Sequence, residues 1–235
     1  MFVFPKWTNK VRFLLPVVLA VGPLYAILVV AYGASPQTTD VGYAPAQPIP
    51  YSHALHVGQL GMDCRYCHNT VEVAPHAAVP PTQTCINCHS VEHGIRAVTT
   101  DGARNPNLQV LHDAFYGTDK LPRGLPIPWV RVHALPGYAY FDHSAHVNRG
   151  VGCASCHGRI DQMDVVYQAK PLSMAWCLEC HRDPGPNLRP LEFITDMTWQ
   201  PPTDDAARQK LQTELLARYH IRSPAYLTSC SVCHR

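Results

Sequence analysis

All ten cysteines of this 235-residue chain fall into five Cys-x-x-Cys pairs, and a histidine directly follows each pair. The motifs are CRYCH (Cys64, Cys67, His68), CINCH (Cys85, Cys88, His89), CASCH (Cys153, Cys156, His157), CLECH (Cys177, Cys180, His181) and CSVCH (Cys230, Cys233, His234). Zinc ribbons and thioredoxin-like dithiols also use Cys-x-x-Cys, but neither needs histidine at the next position. Histidine is about 6% of the chain, so five chance successes are on the order of one in a million. Cys-x-x-Cys-His is the c-type haem attachment signature. Each thiol joins one porphyrin vinyl group, and the adjacent imidazole reaches the iron. The expected cofactors are therefore five covalently bound haem c.

Five haems between residues 64 and 234 amount to about one per 34 residues, too dense for an ordinary apolar core. The fold class expected is a multihaem cytochrome c: mostly irregular chain with short α-helices, a haem-packed core and almost no sheet. The 22 prolines fit such a wrapping chain. The formal charge of +2 omits two propionates per haem, so it points to no nucleic-acid partner.

The N-terminus carries a different signal. Residues 1–12 hold Lys6, Lys10 and Arg12, and residues 13–32 (FLLPVVLAVGPLYAILVVAY) are free of charge. Twenty residues make a helix of about 30 Å, enough to cross a bilayer. Pro16 and Pro23 are tolerable in such a helix. The flanking cations predict a cytoplasmic N-terminus and a periplasmic remainder, with Trp7 and Tyr32 as interfacial anchors. Ala31-Tyr32-Gly33 resembles a small-residue cleavage site, but the run is long for a signal peptide. With Met1 still present, the expectation is an uncleaved, single-pass anchor in the bacterial cytoplasmic membrane.

Residues 33–50 read as a Pro/Gly-rich tether. An internal repeat follows: YSHALHVGQLGMDCRYCH (51–68) aligns with FDHSAHVNRGVGCASCH (141–157), the second copy one residue shorter. Each copy opens with aromatic-x-His-x-x-His and is followed by a further motif, giving two-haem modules at 51–90 and 141–182. Residues 91–140 are expected to be a surface-following connection. In the C-terminal segment, 183–235, TDDAARQKLQTELLARYHI predicts a helix from near Thr203, capped by Thr203 or Asp204. Its face of Leu211, Leu215 and Tyr219 is expected against haems or a partner subunit.

Nine histidines remain beyond the five in the motifs. In His-x-x-His the imidazoles sit about one turn apart and can serve different irons. His53, His56, His143 and His146 are thus the expected distal ligands, with His53 serving the haem of Cys64 and His143 that of Cys153. This arrangement resembles the class III cytochromes, and the modules are c7-like. For the fifth distal ligand His133 is favoured, with His220 second. Met62 and Met174 lie near motifs and are further alternatives. His76, His93 and His112 lie in loop-like sequence and read as solvated.

Over nearly its whole length the chain resembles the pentahaem, membrane-anchored cytochrome subunit of bacterial alternative complex III. The resemblance is carried by FPKWTNK, QPIPYSHALHVGQLGMDCRYCHNTVE, IPWVRVHALPGYAYFDHSAHVNRGVGCASCHGRIDQM, PLSMAWCLECHRDP and the terminal CHR. It implies an electron-transfer subunit, not itself a catalyst, in a membrane quinol:acceptor oxidoreductase. The implied partners are an iron–sulfur subunit, polytopic quinol-binding subunits and another cytochrome c. The implied acceptor is a periplasmic carrier or a terminal oxidase. The resemblance also favours His133, which lies inside one of the matching runs. The alternatives are a stand-alone anchored quinol dehydrogenase that feeds a periplasmic reductase, and a catalytic multihaem reductase. Histidine in all five motifs disfavours the last, because such enzymes usually expose one five-coordinate haem.

Overall fold

A computed structural model describes residues 3–33, 40–96, 98–100 and 102–234, with the backbone alone at residue 12. The apolar N-terminal run forms α1 (Val11–Gly33), entered through a 3-10 turn at Lys6–Lys10. At 23 residues it is about 34 Å long. Its apolar stretch Phe13–Gly33 has a mean hydropathy of 2.6, and none of it is buried against the rest of the chain. The helix is compatible with a membrane anchor.

The rest is short helices joined by irregular chain, and among the described residues the only β pairing is three isolated bridges. A π-helical turn (Ala54–Gln59) is followed by α2 (Cys64–Cys67) and α3 (Thr82–His89). Then come α4 (Gln109–Tyr116), α5 (His143–Val147), α6 (Cys153–His157) and α7 (Met174–Arg182). Helices α8 (Asp205–Arg218), α9 (Pro224–Leu227) and α10 (Cys230–Cys233) close the chain.

The two His-x-x-His segments are built alike. Ser52 and Asp142 hold equivalent positions, and their side chains accept from Leu55 N (3.0 Å) and Ala145 N (3.2 Å), as helix caps do. The first copy carries one more residue between its second histidine and its motif. That residue is taken up by the π turn, where Leu60 N reaches back five residues to Leu55 O at 3.0 Å. A widened turn is how a helix absorbs one insertion.

Each segment also docks on the other half of the chain. Ala54 N donates to Met163 O (3.0 Å) and Ser144 N to Ala74 O (3.3 Å). Met163 and Ala74 each lie ten residues beyond the first cysteine of a motif, Cys153 and Cys64 respectively. Gly58 meets the same stretch so closely that a Cβ would lie 2.3 Å from Asp161 O.

Two small apolar clusters brace these segments. In the first, Ile86 of α3 packs with Ile49 and Leu111, flanked by Phe115 and Trp129. It rests on α4, a helix inside the stretch read as a surface connection. Its Leu108, Leu111, His112 and Phe115 follow the 3.6-residue period, and burying Leu111 stabilises this contact by about 1.5–3 kcal/mol. The stretch read as a tether also joins here. Residues 34–39 lie outside the described residues, but from Asp40 on the chain is docked. Gly42 N donates to Gln168 O (2.8 Å) and Gln168 N to Tyr43 O (3.1 Å), and Gln47 brackets the backbone of Val130 with two 2.9 Å bonds.

The second cluster is Leu188, Leu215 and Tyr219, flanked by Val151 and Leu211. Asp204, not Thr203, caps α8, its carboxylate accepting from Ala207 N at 2.8 Å. The apolar face of α8 is covered by this chain's own residues before the third and after the fourth motif.

Candidate haem-binding sites

Each Cys-x-x-Cys lies within one turn of helix, in α2, α3, α6, α7 and α10. Residues i and i+3 of a helix share a face, so both thiols of a motif face one side. The caps reinforce this placement: the Asp63 side chain accepts from Arg65 N at the start of α2, and Ser173 from Trp176 N at the start of α7. All ten thiols are free of disulfides. Among the described residues no three His, Cys, Asp or Glu side chains converge as they would on a bare metal ion, whereas a tetrahedral zinc site needs four ligands.

Seven of the candidate histidines are oriented through their Nδ1 atoms, whereas Nδ1 of His53 and of His157 is buried without a partner. His56 donates to Ser52 O (2.8 Å), His68 to Ala78 O (2.8 Å) and His89 to Ile95 O (2.7 Å). His143 donates to Pro75 O (2.8 Å), His146 to Asp142 O (2.7 Å), His181 to Leu227 O (2.9 Å) and His234 to Tyr138 O (3.2 Å). A carbonyl only accepts, so Nδ1 carries the proton and Nε2 keeps its lone pair. That is the tautomer a metal-binding imidazole requires, with its ring fixed by the second bond.

Aromatic residues at the head of each repeat hold the same rings. Tyr51 stacks on His56 at 4.4 Å and meets His53 edge-on at 4.9 Å. Phe141 stacks on His146 at 4.5 Å and meets His143 edge-on at 4.8 Å. The sequence displayed these aromatics without disclosing their task.

Ring separations test the fit to haem. Metal–imidazole bonds of about 2 Å on opposite sides of one iron, plus the depth of each ring, put two ring centres roughly 6.3 Å apart. His143 and His157 stand at 6.4 Å with planes 13° apart, and His146 and His181 at 6.2 Å and 21°. His56 and His89 stand at 6.1 Å and 67°. His53 lies near His68: burial, then the positive charges of His68 and His56, push its pKa down to about 4. Burial first, then His133 and His143, lowers His157 to about 3. Both imidazoles are thus neutral at neutral pH and able to bind a metal. The side chains present fit haem.

The remaining candidates fall out differently. His133 lies 4.5 Å from His157 at 73°, too close for one iron between them, and its Nε2 is buried without a partner. His234 packs on Tyr138 at 6.0 Å. His220 is exposed and sits at φ +51°. Met174 is 62% exposed. His76 and His93 are exposed as expected. His112 is not: it is buried on α4, and its Nε2 donates to His89 O at 2.7 Å. That bond commits the nitrogen a distal ligand would use.

Neighbouring motifs touch in a definite order. His56 of the first module faces His89 of the second motif. The Cys64 and Cys153 thiols are within hydrogen-bonding reach, and Asp63 and Cys153 hold adjacent residues, Thr195 Oγ1 (3.0 Å) and Ile194 O (3.1 Å). His143 and His146 then link the third motif to the fourth. His181 of the fourth motif holds Leu227, three residues before the fifth.

No family model matches this chain. Over 111 residues it is 31% identical to the menaquinone reductase, multiheme cytochrome c subunit, of Nitratidesulfovibrio vulgaris, covering 47% of this chain and 45% of that protein. The chain spans about half the length of the curated relative it matches. The similarity supports a multihaem cytochrome c with covalently attached haem, the group that these thiols and imidazoles fit.

Proposed function

We propose that the chain is a membrane-anchored electron-transfer subunit of a quinol:acceptor oxidoreductase of the alternative complex III type, holding five haems on the periplasmic side. The observation that carries this is the paired histidines: with two imidazoles assigned to an iron, no position is left for substrate. Each haem, when bound, takes up and releases one electron at its iron. The protein supplies order and spacing. His53 and His56 join the first and second motifs, and His143 and His146 the third and fourth. The contact between Cys64 and Cys153 makes one line of the two modules. The order is second, first, third, fourth and fifth motif, so the ends lie at Cys85–Cys88 and Cys230–Cys233. For the fifth iron we favour His133, five residues before the Tyr138 that supports His234, with His220 as the alternative.

The relative's name gives a second reading, in which electrons run into menaquinone rather than out of a quinol. The same line of sites serves either direction. A stand-alone quinol dehydrogenase would need its own quinone pocket beside a single helix. Purifying the native assembly, identifying its subunits and adding a menaquinol analogue separates these readings. The expected result is rapid haem reduction in the assembly and none in the isolated chain. Equal reduction of the isolated chain would establish the stand-alone enzyme instead.

A further inference from the structure

One buried charge takes no part in holding a haem by the scheme above. Arg189 is 8% exposed. Its Nη1 donates to two carbonyls, Asp196 O at 2.8 Å and Phe193 O at 3.5 Å, while Nε is buried without a partner. Among the described residues it makes no salt bridge. Trp199 covers one face, 5.0 Å from Cζ to the ring centre. The guanidinium lies directly over Gly152, the residue before Cys153: a Cβ there would sit 2.1 Å from Nε and 2.3 Å from Cζ. The backbone locks this placement, since Arg189 N donates to Gly150 O at 2.8 Å and Val151 pairs with Leu188. Gly150, at φ +83°, can make that approach because it has no side chain.

A buried cation held by carbonyls and one aromatic face is costly unless something nearby carries compensating charge. The Asp196 carboxylate supplies part of that charge, but its oxygen bonds to the Thr198 hydroxyl and the backbone N–H groups of Thr198 and Trp199, and among the described residues it forms no ion pair with Arg189. The other neighbour is the attachment site at Cys153. A haem there becomes more negative by one charge on reduction, and a fixed positive charge in a low-dielectric setting favours that state.

Building on the haem assignment of the third motif, we propose that Arg189 raises the reduction potential of the haem held by Cys153 and Cys156. It thereby sets the electron affinity at the middle of the line. The test is an EPR-monitored redox titration of the full-length cytochrome. The third haem is identified as the component missing from a Cys153→Ser, Cys156→Ser chain, whose haem count of one fewer checks the underlying assignment separately. Arg189→Gln and Arg189→Met each remove the charge. Either should lower the reduced-to-oxidised ratio of that haem at fixed potential by about tenfold, or 59 mV for one electron. The other four should move less, and Arg189→Lys should stay within about twofold of the parent. The proposal is overturned if the neutral variants shift the third haem less than twofold, or if Arg189→Lys shifts it as far as Arg189→Gln. It also falls if neither neutral variant retains the third haem, because Arg189 is then a structural staple.

Discussion

Replacing His146 by alanine should open the haem at Cys177 and Cys180 and leave the one at Cys153 and Cys156 with both ligands. His146 faces His181 across 6.2 Å, whereas His143, three residues earlier, faces His157 across 6.4 Å. In the proposed scheme each imidazole of the pair would serve a different iron, since each faces the histidine of a different motif. Phe141 and the Asp142 carbonyl hold the His146 ring in place. About one fifth of the haem should become high-spin and bind carbon monoxide, given five attached groups. The thioethers remain, so the chain should still mature. The matching change at His56 should open the haem at Cys85 and Cys88, since His56 faces His89. EPR and carbon monoxide difference spectra check both. Opening of the haem at Cys153 in the His146 variant would contradict this wiring.

Deleting residues 13–32 should move the cytochrome from membranes to the soluble fraction. Among the described residues nothing buries the apolar helix Phe13–Gly33, and burying about twenty apolar residues in lipid makes insertion effectively irreversible. The measurement is carbonate extraction after expression without partner subunits in a host that attaches haem c. The full chain should stay in the pellet, and a chain starting at Asp40 behind a cleavable signal should be released. A full chain washed off by carbonate, or cut near Tyr32, would identify the segment as a signal peptide. A reporter fused after Arg235 should be active only on the periplasmic side, as Lys6 and Lys10 ahead of the helix require.

What the sequence made legible was set by covalent chemistry and fixed spacing. The five motifs, the doubled His-x-x-His and the apolar run each have a meaning that tertiary context cannot alter. The expectation that His143 and His146 serve different irons was also legible, because residues three apart on a helix diverge, and the two rings do face different motif histidines. What stayed hidden depended on packing between distant segments. Helix α4 was masked by the prolines and glycines around it, although its apolar spacing was present. His112 read as a loop histidine because nothing local announces that it will be buried beneath His89. Arg189 looked like one arginine in a Pro-rich stretch, and only the fold lays it over Gly152. The single extra residue of the first repeat was visible, but its absorption into a π turn was not.

Every Cys-x-x-Cys-His pair in this chain is expected to carry haem held by two histidines. Pyridine haemochrome and intact mass on fully matured protein test it most directly, with carbon monoxide binding as the check on coordination. The expected result is five haems per chain, all low-spin in the oxidised state, and no carbon monoxide binding by the reduced protein. Four or fewer haems, or zinc at one of the motifs, would contradict it.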